Sequence, residues 1–141
     1  MEIKNFKHKI MLNVRFSDLD AMQHVNNATY LTYLEEARID YFNHILNLPK
    51  DNLDFGAVVA RIEINYIRPI MLGDSIEILT RVSKIGNKSS ELENMILVEK
   101  NGNSKVAAEA VTKLVSYNFE KLSSVPIPEE IKRSIKNFED I

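Results

Sequence analysis

The sequence predicts an α+β fold in which one long helix lies against an antiparallel sheet. Three observations carry this expectation. A helical period runs at length only once, over residues 28–47. From residue 57 to residue 117 the pattern alternates with a period of two. Short turns join these later segments, as antiparallel neighbours permit and parallel ones do not. At 141 residues the chain is read as a single domain, residues 1–141, large enough to bury a real core.

The elements follow in order. Ile10, Leu12, Val14 and Phe16 share one side of a strand over residues 10–16. After a polar stretch, Tyr30, Leu31, Leu34, Ala37, Tyr41, Ile45 and Leu48 recur at three- and four-residue steps. Tyr33, Glu36, Asp40, Asn43 and Asn47 fall opposite them. Asn26 or Asn27 is the expected N-cap, and Pro49 the stop. Over residues 57–67, Val58, Ala60, Ile62, Ile64 and Tyr66 share a strand face, until Arg68-Pro69 breaks the run. Residues 75–84 align Ile76, Ile78, Thr80 and Val82, and Gly86-Asn87-Lys88 turns the chain. Residues 89–99 align Leu92, Ile96 and Val98, with Asn94 as a polar exception. Asn101-Gly102 signals a hairpin into residues 104–117. There Ala108 and Ala110 are small, as if the long helix crosses them. Residues 126–138 read as a short terminal helix with Glu129 and Glu130 in its first turn.

Composition excludes several classes. Hydrophobic residues at 45% and charged residues at 27% exclude disorder. With no Cys there is no disulfide, thiolate metal site or Cys nucleophile. A net charge of −2 gives no general attraction to nucleic acid. No apolar run approaches the roughly 18 residues of a membrane span. The first residues contain no secretory apolar stretch, so the expected location is the cytoplasm. His8, His24 and His44 lack metal-ligand spacing, so no metal or cofactor is expected, and His8 and His44 are read as surface residues.

Chemistry concentrates between the first strand and the helix. Asp18, Asp20, His24, Asn26 and Asn27 fall within ten residues. A helix N-terminus offers unpaired N–H groups and about half a unit of positive charge. An acyl oxygen placed there is polarised, and a loop carboxylate can attack the carbonyl or activate water. A thioester suits so simple a site, because its thiolate, with a pKa near 8.5, leaves without a strong acid.

The run Asp-x-Asp-x-x-Gln-His-Val-Asn-Asn-x-x-Tyr-Leu from Asp18, followed by Leu-Glu-Glu-Ala-Arg from Leu34, resembles the signature of hotdog-fold thioesterases of the 4-hydroxybenzoyl-CoA thioesterase type. Its Gln-His-Val-Asn-Asn form is most similar to bacterial long-chain acyl-CoA thioesterases. The run Ala57–Pro69 fits the same family. The resemblance implies a five-stranded antiparallel sheet wrapped around the helix. It also implies a homodimer or homotetramer with active sites between subunits. Asp20 matches the catalytic carboxylate, and the polarising N–H lies at or next to Asn27. His24 orients the loop or meets water or substrate. Asn26 is read as a cap or loop brace within the substrate site, and Asp18 as a loop anchor.

The implied substrate is an acyl-CoA, with an acyl-acyl-carrier-protein or a non-catalytic acyl-thioester-binding domain as alternatives. Arg61, Arg68, Lys84 and Lys88 are candidates for coenzyme A phosphates, and the Gly86–Ser89 turn for a phosphate or pantetheine contact. Carrier-protein enzymes of the family have Asn where Met22 stands, which favours coenzyme A. Many members have Gly where Gln23 stands. Glu35 is the rival catalyst, because another hotdog branch places its carboxylate on the helix; at i,i+3 from Arg38 it is read instead as that residue's partner.

Overall fold

A computed structural model describes residues 1–52 and 56–141. Its strands are β1 (His8–Asn13), β2 (Ala57–Tyr66), β3 (Ser75–Ile85), β4 (Ser89–Lys100), β5 (Asn103–Asn118) and the two-residue β6 (Ser123–Ser124). Its helices are α1 (Thr29–Ile45) and α2 (Glu129–Glu139). The strands form one antiparallel sheet in the order β1-β3-β4-β5-β2, with β6 extending beside β5. The predicted α+β arrangement is present, a curled sheet with a long helix packed on it.

Two clusters make the core between helix and sheet. Tyr30, Tyr33, Leu34 and Ala37 pack with Ile76, Ile78, Ile96, Ala108 and Ala110. Tyr41 and Phe42 pack with Val82, Leu92, Leu114 and Ile135 of α2. The alanines of β5 leave room for the helix, as expected. Asn94 is buried and satisfied, its amide donating to the Leu79 carbonyl and to Thr80 Oγ1.

Several sequence expectations need correction. β2 does not form a hairpin with β3: among the described residues it pairs with β5, and residues 67–74 carry the chain across to β3. Hairpin length alone does not fix a neighbour, and the two apolar strands compete for the same partners. The register of β2 shifts between Val59 and Arg61. Opposite Leu114, it is therefore Val59 and not Val58 that shares a face with Ile62 and Ile64, as one extra residue in a bulge requires. Phe16 does not continue the β1 face; it sits in a single 3-10 turn and is 80% exposed. On α1 the buried stripe takes in Tyr33 and Asn43, while Leu31 is exposed, as is Leu48 beyond the helix end.

His8 is buried, contrary to the surface expectation, whereas His44 is exposed. The His8 Nε2–H donates to Asp40 Oδ2 at 2.7 Å, since a carboxylate can only accept. Its ring meets Tyr41 edge-on at 5.4 Å. The alternation argument started the strand at residue 10 and so left His8 outside it.

The chain ends are fastened at the same place. Lys7 binds the Phe138 carbonyl and Asp140. Glu139 Oε1 accepts from the Tyr41 hydroxyl at 2.6 Å and from the Val82 N–H at 3.0 Å. Burial and the Glu139 carboxylate both push the Tyr41 phenol far above its ordinary range, so it remains a donor. Among the described residues, no helix is long and apolar enough to cross a membrane.

Candidate active site

The segment between β1 and α1 is a tight, cross-braced loop. Leu19 and Val25 bridge as an antiparallel pair, as do His24 and Met71. The Asp20 N–H donates to the His24 carbonyl at 2.8 Å, and the Gln23 N–H to the Asp20 carbonyl at 3.0 Å. Residues 20–23 thus form a turn, closed by Gln23 at φ 65. That is the left-handed region, where a residue with a side chain pays about 1–2 kcal/mol and Gly sits freely. This is the physical reason Gly is acceptable at position 23. Gln23→Gly is expected to fold normally and to gain up to about 1 kcal/mol in denaturant unfolding, part of the relief being offset by the entropy of Gly.

Asp18 and Asp20 have separate tasks. Asp18 is buried and points into the protein. Its Oδ2 accepts from the Arg15 N–H at 3.0 Å and from the Tyr33 hydroxyl at 2.7 Å, and its Oδ1 from the Arg15 guanidinium at 3.3 Å. Burial alone would raise its pKa, but these donors together hold the carboxyl below its ordinary value near 3.8. Burial, then Asp18, push Tyr33 far upward. Neither group is available for proton transfer near neutrality. The Asp18 carbonyl meanwhile accepts from the Asn26 N–H at 2.8 Å, tying the loop to the helix start.

Asp20 is half-buried, and its Oδ1 accepts only the Met22 N–H, at 2.9 Å, among the described residues. It lines a recess of about 620 Å³ with Phe16, Leu19, Ala21, Gln23, Met71 and Leu72. Met71 and Leu72 are held there by Asp74, whose carboxylate takes the Met71 N–H at 2.8 Å and is itself paired with Lys100.

The helix start lies directly after this loop. Asn26 Oδ1 accepts the Ala28 N–H at 2.8 Å, so it braces the turn before α1 and does not cap the helix itself. The Asn27 N–H has no acceptor among the described residues, while its carbonyl takes the Tyr66 hydroxyl at 3.0 Å. Tyr66 was legible only as a strand residue, and no sequence signal marked its contact with Asn27. The His24 ring is half-buried, with no hydrogen-bond partner among the described residues.

The sequence-derived residues thus divide. Asp20, His24, Asn26 and Asn27 lie together between β1 and α1. Arg61 pairs with Glu63 on the outer sheet face, beside Ser83, Lys84 and Lys113. Lys88 and Ser89 are at the β3–β4 turn, where the Lys88 carbonyl accepts from Ser116. Within one copy that turn and the Asp20 loop are at opposite ends of β3, roughly 35 Å apart at strand rise. Arg68 is tied to the Val106 carbonyl at 3.1 Å. Glu35 and Arg38 approach at 3.9 Å, as the i,i+3 spacing predicts.

Comparison with known proteins decides the family. The model of the thioesterase-like superfamily matches residues 14–135. The chain belongs to that superfamily. It is 33% identical over 128 residues to the Escherichia coli long-chain acyl-CoA thioesterase FadM, spanning 89% of this chain and 94% of that one. The Haemophilus influenzae acyl-CoA thioesterase YbgC is 26% identical, with 86% and 88% covered. Among solved structures, a Thermus thermophilus thioesterase complexed with coenzyme A and zinc is 36% identical, with a TM-score of 0.83 over 99% of this chain and 98% of that one. As a superfamily member, this chain carries the loop-and-helix-start arrangement on the hotdog fold.

Among its described residues no group of three or more His, Asp or Glu side chains is disposed to hold a metal ion.

Proposed function

We propose that the protein is a cytoplasmic, single-domain acyl-CoA thioesterase, releasing free acid and coenzyme A. The observation that carries this reading is a half-buried carboxylate, Asp20, on a braced loop that leads into an Asn27 N–H with no acceptor among the described residues. The thioester carbonyl accepts from that N–H, with the positive end of α1 behind it. Either Asp20 attacks the carbonyl and expels the coenzyme A thiolate, and water then hydrolyses the resulting mixed anhydride to free acid and the Asp20 carboxylate, or Asp20 draws a proton from water whose oxygen attacks the carbonyl and expels the thiolate. The His24 carbonyl braces the loop by accepting the Asp20 N–H, its ring is left to meet water or substrate, and Asn26 braces the turn that presents Asn27. The relatives named as acyl-CoA thioesterases support the substrate class. A thiol-release assay across acyl-CoA chain lengths, one aryl-CoA and one acyl-acyl-carrier-protein tests the reading. Turnover of acyl-CoA is expected. Turnover restricted to the carrier-protein substrate would move the protein to that branch, and none on any thioester would make it a binding domain.

Assembly belongs to the same proposal. Among the described residues β2 pairs with β5 alone, leaving ten residues with one unpaired backbone edge and with Val59 and Tyr66 exposed. Long exposed edges are normally covered, and a second copy pairing antiparallel about a two-fold axis covers this one. It would also bring Arg61, Lys88 or Ser89 of one copy nearer the Asp20 loop of the other. Light scattering at micromolar concentration is expected to give a dimer or tetramer mass, and a monomer mass would refute it.

A further inference from the structure

We infer that Tyr66, a strand residue 39 positions from Asn27, is a positioning residue for the N–H that polarises the thioester carbonyl. This rests on the acyl-thioester reading above and adds to it the group that holds the carbonyl's donor in place.

The chain enters α1 through a turn over residues 26–29. The Asn26 carbonyl accepts the Thr29 N–H at 2.9 Å, and Ala28 has φ −68 and ψ −29, close to a type I turn. That closing bond holds the peptide unit between Asn26 and Asn27 by its carbonyl. A trans peptide sends its C=O and N–H in opposite directions. The Asn27 N–H of the same unit therefore points away from the turn, where it has no acceptor among the described residues.

The next peptide unit, between Asn27 and Ala28, is the central one of the turn, whose orientation distinguishes one turn type from another. Here it is held on both sides. Its N–H donates to Asn26 Oδ1 at 2.8 Å, and its carbonyl accepts from the Tyr66 hydroxyl at 3.0 Å. The Asn26 bond is local and travels with the turn. The Tyr66 bond ties the turn to the sheet, and so fixes where the Asn27 N–H stands.

Tyr66 is itself fixed. It is the last residue of β2, opposite Ala108. Just beyond it the Ile67 and Arg68 N–H groups both donate to the Ala107 carbonyl, at 2.8 and 3.0 Å, which ends the strand there. Its ring meets the buried Tyr30 ring edge-on at 4.9 Å. Stability gives the hydroxyl bond little purpose, because Tyr66 is 48% exposed and water serves a hydroxyl there almost as well. Position is another matter: a small displacement of a donor forfeits much of what it offers a developing oxyanion.

The test is Tyr66→Phe, which removes the hydroxyl and keeps the ring. Its kcat on octanoyl-CoA is expected to fall about fivefold to tenfold, on the scale of one hydrogen bond. KM should stay within about twofold, and the unfolding midpoint near that of the wild type. The loss falls on kcat because the N–H matters most as charge builds on the oxygen. A second readout needs no turnover. Octanoyl-CoA carrying a ¹³C label at the thioester carbonyl is bound to Asp20→Asn, where its carbonyl infrared band is expected at lower wavenumber than in solution. Adding Tyr66→Phe should move that band back toward its solution position. An unchanged band with an unchanged kcat would overturn the inference, as would a change in KM alone, which would make Tyr66 a substrate contact. A loss confined to Tyr66→Leu, which also removes the ring, would assign Tyr66 to packing and overturn it too. A band that responds to Tyr66→Phe, without wild-type turnover of any thioester, would keep the positioning role and sink hydrolysis. Turnover indifferent to Tyr66→Phe would do the reverse.

Discussion

Asp20→Asn is expected to fold and to bind acyl-CoA while its kcat falls at least about 100-fold. The substitution keeps size and shape and retains an oxygen for the Met22 N–H, the one hydrogen bond the Asp20 side chain makes among the described residues. What it removes is the basic oxygen that, in the proposed mechanism, attacks the carbonyl or accepts a proton from water. A loss made only in the transition state lowers kcat and kcat/KM together, so KM should change little. Glu35→Gln supplies the contrast. Among the described residues its one ion-pair partner is Arg38, at 3.9 Å, and its own side chain is largely exposed; a long pair with a solvated carboxylate contributes little, so activity should stay near wild type. A folded, active Asp20→Asn beside an inactive Glu35→Gln would move the chemistry onto the helix.

Asp18→Asn should damage stability instead, by about 1.5–3 kcal/mol in denaturant unfolding, the range for hydrogen bonds to a charged group. The carboxylate accepts from the Arg15 N–H, the Arg15 guanidinium and the buried Tyr33 hydroxyl, and an amide nitrogen would face at least one of them. The sign of the pH dependence follows. The folded-state pKa lies below the ordinary value near 3.8. Asp18 therefore adds stability that is fully present above that value and is lost as pH falls through the lower, folded-state one. Unfolding curves of the wild type should weaken steeply below about pH 4, and those of Asp18→Asn should weaken less. An unchanged acid limb in the variant would mean that other carboxylates control it.

The long helix and the alternating strands were legible because one-sided burial writes a period into the sequence, and Tyr30, Leu34, Ala37 and Tyr41 obey it. The pairing of β2 was not, since an edge strand with Ile62 and Ile64 on one face reads the same beside β3 as beside β5. Ala60 shows a second limit: a bulge resets the alternation without leaving a mark in composition. At the site, the cluster from Asp18 to Asn27 stood out by residue type and position. The division of labour between the two acids did not, because it depends on Tyr33 reaching back from the helix to Asp18. Tyr66 escaped for a related reason, its contact with Asn27 spanning 39 residues.

The sheet order also bears on how the chain is made. The strand that flanks the candidate site is synthesised well before its one long partner among the described residues: Ala57–Tyr66 leaves the ribosome while Asn103–Asn118 is still to be translated. Until then the described chain offers this edge strand no β-partner. The clasp that joins Lys7 to Phe138 and Asp140 closes later still. The nascent chain can form α1 early, from local contacts, but its sheet is completed only once Asn103–Asn118 has been made. In that interval the Ala57–Tyr66 strand is exposed on both edges.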